Sequence, residues 1–305
     1  MKKMFSAAAL VMAAFAFVAC SEKKFHVEGS IENAKDSLLY FENISLEGPV
    51  VVDSVKLDAD GQFDFSDKCP EAPEFYRLRI AGQIINIAID STETVSVKAK
   101  MPEMAANYEV SGSEECSKIR TLALKQIALQ NKIISLEKNT SLGSDVIADS
   151  ISKLIDNYKN EVKTDYIFKE PKAASSYFAL FQAIGPYLIF NPRNNRDDIK
   201  VFAAVATSWD TFYPGAVRGQ NLHNIAIEGM KTARIVAADQ QAMQIDANKV
   251  SESGIIDIKL VDNKGNVRSL TELKGKVVLL DFHLFALEDS PKRILMLREL
   301  YNKYH

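Results

Sequence analysis

The side chains here with the chemistry to react are three cysteines, four histidines and a few clustered carboxylates, and their spacing sorts them into different kinds of work. Cys20 closes a segment that opens on Met1-Lys2-Lys3, runs apolar from Met4 to Ala19, and gives way to Ser21-Glu22-Lys23-Lys24. A basic head, a short apolar run and small residues before a cut site mark a secretory signal, and the run falls short of the ~20 residues that comfortably span a bilayer. Residues 1–19 are therefore expected to be an address and not part of the fold. Cys69 and Cys116 lie far apart in sequence with no histidine beside either. They are expected to be small buried side chains, although an oxidising compartment permits a disulfide between them.

Metal chemistry finds little support. Asp58, Asp60 and Asp64 flank Gly61 in "KLDADGQFDF", but a calcium loop of the EF-hand type needs a further ligand position before the glycine and a bidentate Glu after it. Asp60-Gly61 between alternating runs instead predicts a hairpin turn, because Gly accepts the positive φ that the turn demands. His26, His223, His283 and His305 are too dispersed for a zinc site. Asp197-Asp198 sits at a helix start, where acidic groups complement the macrodipole. There is no Gly-rich phosphate loop and no Gly-x-Ser-x-Gly elbow. This inventory assigns no catalytic, cofactor-binding or metal-ligating residue, and no cofactor.

The elements that would position any site fall into three regions. From about Phe25 to Ser113, seven runs ("FHVEGSI", "SLLYFENI", "VVVDSVKL", "GQFDFS", "FYRLRIAG", "QIINIAID", "TVSVKAK") are rich in β-branched and aromatic residues with turn residues between them. They predict a β-sandwich or small barrel, assigned here as a β-sandwich over 25–113. Over 114–246 the period changes: Ile119, Leu122, Ile127 and Ile134, then Leu154, Ile155, Tyr158 and Val162, recur at helical spacing. Gly143-Ser144-Asp145 breaks one helix and offers a cap for the next. "ASSYFALFQAIG", "RDDIKVFAAVATSWDTF" and "GAVRGQNLHNIAIEGMKTARIVAAD" continue the helical region, with Pro186, Pro192 and Pro214 between the runs. Its aromatics, Tyr177, Phe178, Phe181, Tyr187, Phe190, Trp209, Phe212 and Tyr213, could line a ligand groove, but at helical spacing core is the expectation. The fold class is α+β multidomain.

Several motifs resemble known families. Phe17-Val18-Ala19-Cys20 resembles a bacterial lipobox, which implies a lipid on the Cys20 thiol and residues 20–24 as a lipidated tether. Each buried methylene adds about 0.8 kcal/mol of membrane affinity, so several acyl chains anchor stably. "VEGSI", "DSVKLDADGQFDF", "FYRLRI" and "YEVSGSEEC", in that order, resemble the domain of unknown function DUF4369 of Bacteroidetes lipoproteins. In those proteins a helical region and a thioredoxin-like domain usually follow. "IIDIKLVDNKGNVRSLTELKGKVVLLDF", Ile255 to Phe282, is similar to the start of the TlpA and AhpC-like branch of that superfamily: a hairpin, a lead, and a buried strand ending in Asp-Phe. The resemblance puts the two redox cysteines of the family on Leu287 and Ser290, and its buried acid on Asp281. Leucine cannot act as a thiolate, and Ser290 has no evident base to activate it. The chain reaches His305 before the later strands and the cis-proline segment of that fold, so 247–305 reads as an incomplete thioredoxin-like domain.

A net charge of -3 gives no basic surface for nucleic acid. The expectation is a cell-envelope lipoprotein, anchored by lipid on the periplasmic face of the outer membrane in preference to the cell surface. Its thioredoxin-like scaffold would be redox-inactive, and its role binding or structural, with an unknown protein or small-molecule ligand. The alternatives are a thiol-disulfide oxidoreductase of the TlpA type and a carrier of peptide or glycan.

Overall fold

The computed structural model describes residues 23–193, 195–243, 257–281 and 290–304. The signal segment, Cys20 and Leu287 lie outside them. Strands come first, then helices, then a small mixed segment, which is the expected α+β order. The described residues divide into two compact units between Ala237 and Ala238.

The first unit begins with eight strands: β1 (Lys24–Glu32), β2 (Leu38–Ser45), β3 (Gly48–Lys56), β4 (Gln62–Lys68), β5 (Glu74–Ile80), β6 (Gln83–Ile89), β7 (Thr94–Lys100) and β8 (Tyr108–Ser111). They form two four-stranded sheets, ordered β4-β1-β7-β8 and β3-β2-β5-β6. All pairings are antiparallel except β1 with β7. Alternation explains the layering. In β4, "QFDFSDK" turns Phe63 and Phe65 inward and its polar residues out. Phe25, Val27, Leu39, Phe41, Leu78, Ile85, Ile87, Val95 and Val97 join them between the sheets, each contributing about 1.5–3 kcal/mol of burial. Phe41 stacks on Phe65 and Tyr76 with centroids 5.3 and 5.1 Å apart.

Two glycines are required by geometry. Gly29 in "VEGSI" has φ +149°, and a Cβ there would lie 1.8 Å from the Val97 carbonyl oxygen of the neighbouring strand. Gly61 has φ +63°, and the Asp58 carboxylate accepts from the amides of Asp60 (2.9 Å) and Gly61 (3.0 Å). The acidic loop is a turn whose first aspartate bonds to the turn itself, but it is not the expected hairpin: β3 pairs with β2 and β4 with β1, so it carries the chain from one sheet to the other. The eighth strand, within "YEVSGSEEC", was not expected as a strand. It is four residues long, too short to show a period, and is set by pairing with β7.

Helices follow, α1 (Glu114–Glu137), α2 (Ser144–Val162), α3 (Ala174–Leu180), α4 (Arg196–Phe212) and α5 (Val217–Met243), with a short hairpin of β9 (Ala183–Ile184) and β10 (Tyr187–Leu188) after α3, and α1, α3 and the start of α5 meet the outer face of the second sheet. Ser113 caps α1 by accepting from the Cys116 amide, and Asn195 caps α4 by accepting from the amides of Asp197 and Asp198. Gly143 is the N-cap of α2 and makes no side-chain cap bond, so the expected Ser144-Asp145 cap is not used. "ASSYFALFQAIG" yields only a seven-residue helix, because the chain turns at Gly185 (φ +57°) into the hairpin. Asp198 does more than face the macrodipole: it is buried, 2.6 Å from Lys159 Nζ, and accepts from the Asn191 amide. One core joins the layers, running from Phe75 and Ala88 on the sheet through Ile119, Leu122, Tyr177, Phe202 and Trp209.

The second unit contains β11 (Lys259–Val261) paired with β12 (Val267–Ser269), a 3-10 turn over Leu270–Leu273, and α6 (Ser290–Tyr304). The Asp262 carboxylate closes the hairpin by accepting from the amides of Lys264 and Asn266, and Ser269 with Glu272 forms a capping box on the 3-10 turn. Residues 277–281 differ from expectation: they form no strand, and Val277, Val278, Leu279 and Leu280 are exposed. A strand exists only through a paired neighbour, and among the described residues none pairs with this run.

Candidate functional site

The alternation that turns Tyr76, Leu78 and Ile80 of β5 into the sandwich turns Phe75, Arg77 and Arg79 onto the opposite face. Cross-strand register sets Glu42 of β2 and Asn86 of β6 on either side of Arg77, and Tyr40 and Ile84 on either side of Arg79. Glu42 is buried between the two guanidiniums. It accepts from Arg77 Nε at 2.5 Å and from Arg79 Nη2 and Nε at 2.6 and 3.0 Å. The bond from Arg79, then that from Arg77, hold its carboxyl below the usual range against the opposing effect of burial. Arg79 lies over the Tyr40 ring, 4.3 Å from its centroid. Arg77 uses Nε on Glu42, while its terminal nitrogens have no partner among the described residues.

From the helical side, Arg218 of α5 reaches down to the sheet. Its Nη2 and Nε donate to Glu74 at 2.7 and 3.0 Å, Nη2 also donates to the Ile44 carbonyl, and the guanidinium lies 5.0 and 5.7 Å from the Phe75 and Tyr177 centroids. A cleft of about 900 Å³ opens between these layers. Its floor is Phe75, Arg77, Ile84 and Asn86 of the sheet; its walls are Tyr177, Phe178 and Phe181 with Arg218 and Asn221. The far end is set by a satisfied network. Gln182 donates to the Leu122 carbonyl and to Gln126 (both 3.0 Å) and accepts from Tyr158 (2.6 Å), while Gln126 donates to the Ala183 carbonyl. Two other hollows on this unit are smaller, about 310 and 370 Å³. The cleft lies within the size range of small-ligand sites and has their makeup: mostly apolar walls with a few convergent polar groups.

The residues singled out by sequence fall elsewhere. Asp281 is tied to Arg293 in the first turn of α6, which donates through Nε at 3.1 and 3.2 Å and through Nη2. This ion pair also raises the Arg293 pKa. Ser290, the first residue of α6, is buried. Leu287 and Cys20 lie outside the described residues, as do His283 and His305. Cys69 and Cys116 are free thiols. Cys116 occupies the first turn of α1, a place that ordinarily favours thiolate, yet its burial is decisive and pushes its pKa up to about 12. It donates to the Ala88 carbonyl at 3.2 Å. His26 meets Asp64 at 3.5 Å and His223 meets Asp210 at 3.0 Å, both at the surface. Among the described residues no three His, Cys, Asp or Glu side chains gather to hold a metal ion, and no helix is long and apolar enough to cross a membrane.

The aromatic cluster divides. Tyr177, Phe190 and Trp209 are core, Phe178, Phe181 and Tyr213 are partly covered, and Tyr187 and Phe212 are exposed. Burial of Trp209 removes a groove built around that residue. Phe178 and Phe181 line the sheet–helix cleft, and Phe181 also borders a smaller hollow beside it.

The fold so described is a β-sandwich covered on one face by helices. Residues 25–118, the sandwich and the start of α1, match the family described as "Domain of unknown function (DUF4369)". No curated protein matches the chain. A solved structure, "Crystal structure of (S)-allantoin synthase", aligns at 10% identity and a TM-score of 0.23 over 34% of this chain and 48% of its own. That likeness is too slight to carry fold or function, and the chain spans about half the length of that protein.

Proposed function

We propose that this chain is a ligand-binding protein of the cell envelope, held to a membrane by a lipid on Cys20 and carrying a thioredoxin-like C-terminal region without redox chemistry. The observation that carries the binding role is the sheet–helix cleft, whose guanidinium-bearing floor and aromatic walls come from β5, β6, α3 and α5 of one packed unit. A site held on regular elements keeps its shape before a ligand arrives, which lowers the ordering cost of binding. The anchor reading is supported by Met1 to Cys20 alone. The loss of redox chemistry is supported by leucine and serine at the positions matching the family's thiols, and by a Cys116 thiol that stays protonated at neutral pH.

The binding role is tested with the fluorescent probe 8-anilinonaphthalene-1-sulfonate, excited through the single tryptophan, Trp209, which packs against the cleft wall residue Tyr177 at 4.8 Å. Saturable energy transfer from Trp209, abolished by Asn86→Phe on the cleft floor, is the expected result. Transfer that never saturates, or that survives Asn86→Phe in a folded protein, would falsify it.

A further inference from the structure

We infer that the cleft selects an organic carboxylate with an apolar or aromatic body, received by the terminal nitrogens of Arg77; this rests on the cleft being a ligand site. Three observations converge on it. First, the ionic groups around the cleft do not balance. Arg77, Arg79 and Arg218 face two carboxylates, Glu42 and Glu74, which leaves one positive charge in excess in a chain whose net charge is -3. Second, the carboxylates are behind and the cations in front: Arg77 and Arg218 line the cleft, while none of the described lining residues is acidic. Third, the two arginines are differently committed. Arg218 is buried and commits Nε and Nη2 to Glu74 and the Ile44 carbonyl, so it is a structural brace. Arg77 is held in place by one bond, Nε to Glu42, and keeps its terminal pair for something else.

A guanidinium fixed through Nε and open at both terminal nitrogens is the donor half of a bidentate carboxylate contact. Asn86, directly across the strand from Arg77 and with no side-chain partner among the described residues, adds an amide to the same spot. Phe75, Ile84, Phe178 and Phe181 offer the apolar surface for the remainder of the ligand. The half-buried setting of Arg77, whose side chain is 20% exposed, makes an ion contact there stronger than one on an open surface.

The test compares N-acetyl-L-phenylalanine with N-acetyl-L-phenylalaninamide, which differ only in the charged group, by titrating Trp209 emission. The acid is expected to bind roughly ten- to hundredfold more tightly than the amide, the range for a charge-assisted contact. Arg77→Gln should erase that preference and Arg77→Lys should keep part of it, since lysine retains charge without the fork. The tripeptide Ala-Ala-Phe, with a free or amidated C-terminus, separates the two sources of carboxylate. Tighter binding of the free tripeptide than of the acetylated amino acid assigns a peptide end, and equal binding a small acid; either supports the inference. Equal affinity for acid and amide in the unmodified protein, or a preference untouched by Arg77→Gln, overturns it. So does failure of both compounds to bind while the anilinonaphthalene probe still saturates the cleft, an outcome that leaves the cleft itself standing. Loss of saturable probe binding marks failure of the underlying site instead.

Discussion

Replacing Glu42 with Gln removes one charge from the centre of a three-residue cluster while keeping its shape. The glutamate is 4% exposed and accepts charge-assisted bonds from two guanidiniums, each worth about 1.5–3 kcal/mol in a favourable setting. Glutamine keeps one acceptor and presents an N–H₂ group to donors, leaving Arg77 and Arg79 two residues apart on one strand face without a counter-charge. Breaking a fully buried pair costs about 3–5 kcal/mol. Here the arginine side chains are 20% and 28% exposed and regain some water, which places the loss near the low end, about 3 kcal/mol. In a unit of this size that is a fall in melting temperature of roughly 6–12 °C. The assay is thermal and urea unfolding at pH 7, followed by circular dichroism and Trp209 emission. Acid supplies an independent check. Because the Glu42 carboxyl is held below its ordinary value of 4.5 in the folded state, its stabilisation is fully present above that value and is lost as pH falls through the lower, folded value. The gap between the two proteins should therefore begin to narrow as pH falls below 4.5 and close beneath the lower, folded value. A loss under about 0.5 kcal/mol at pH 7, the size of an ordinary surface substitution, would refute the reasoning. So would a gap that stays constant into acid.

Two further outcomes follow from geometry. Gly29→Ala drives a methyl into the Val97 carbonyl at a φ that alanine avoids, so a loss of at least about 3 kcal/mol is expected, read as a lower urea midpoint or failure to accumulate folded protein; a midpoint within error of the parent would contradict the 1.8 Å contact. With a thiol reagent at pH 8, partly exposed Cys69 should react well before buried Cys116, whose modification should wait for unfolding. Equal rates in native protein would show that the α1 start is open.

Seven strands were legible because each is rich in β-branched and aromatic residues and is set off by turn residues, and several also alternate. α4 was legible end to end, since Asn195 caps it and Phe212 closes the run before Pro214. The aromatic core was legible as a set, though not its division into buried, half-buried and exposed members. Residues 277–281 depart from expectation for a definite reason: "VVLL" has the composition of a central strand, but pairing is a property of two segments and composition describes only one. The cleft was invisible for a related reason. Glu42 is 35 residues from Arg77, and Glu74 is 144 from Arg218, so no local pattern links either pair. One signal was present. The alternation in "FYRLRI" that sends Tyr76 and Leu78 inward must send Phe75, Arg77 and Arg79 together to the other face, and an aromatic beside two cations there marks a face that something covers.

Phe75 and Ala88 are made on sandwich strands but belong to the core beneath the helices. A ribosome delivers the chain N-terminus first, and domains tend to form as units in that order. β5 and β6 therefore leave the tunnel, and can pair, before α1 exists. Ile119 and Leu122 then arrive at a floor that is already standing. Swapping the order of synthesis by circular permutation, with the helices emerging first, would send out amphipathic segments with nothing to lie on and leave them open to chaperones or to one another. The seam at Ser113 joins two pieces that are consecutive in time, and the second depends on the first.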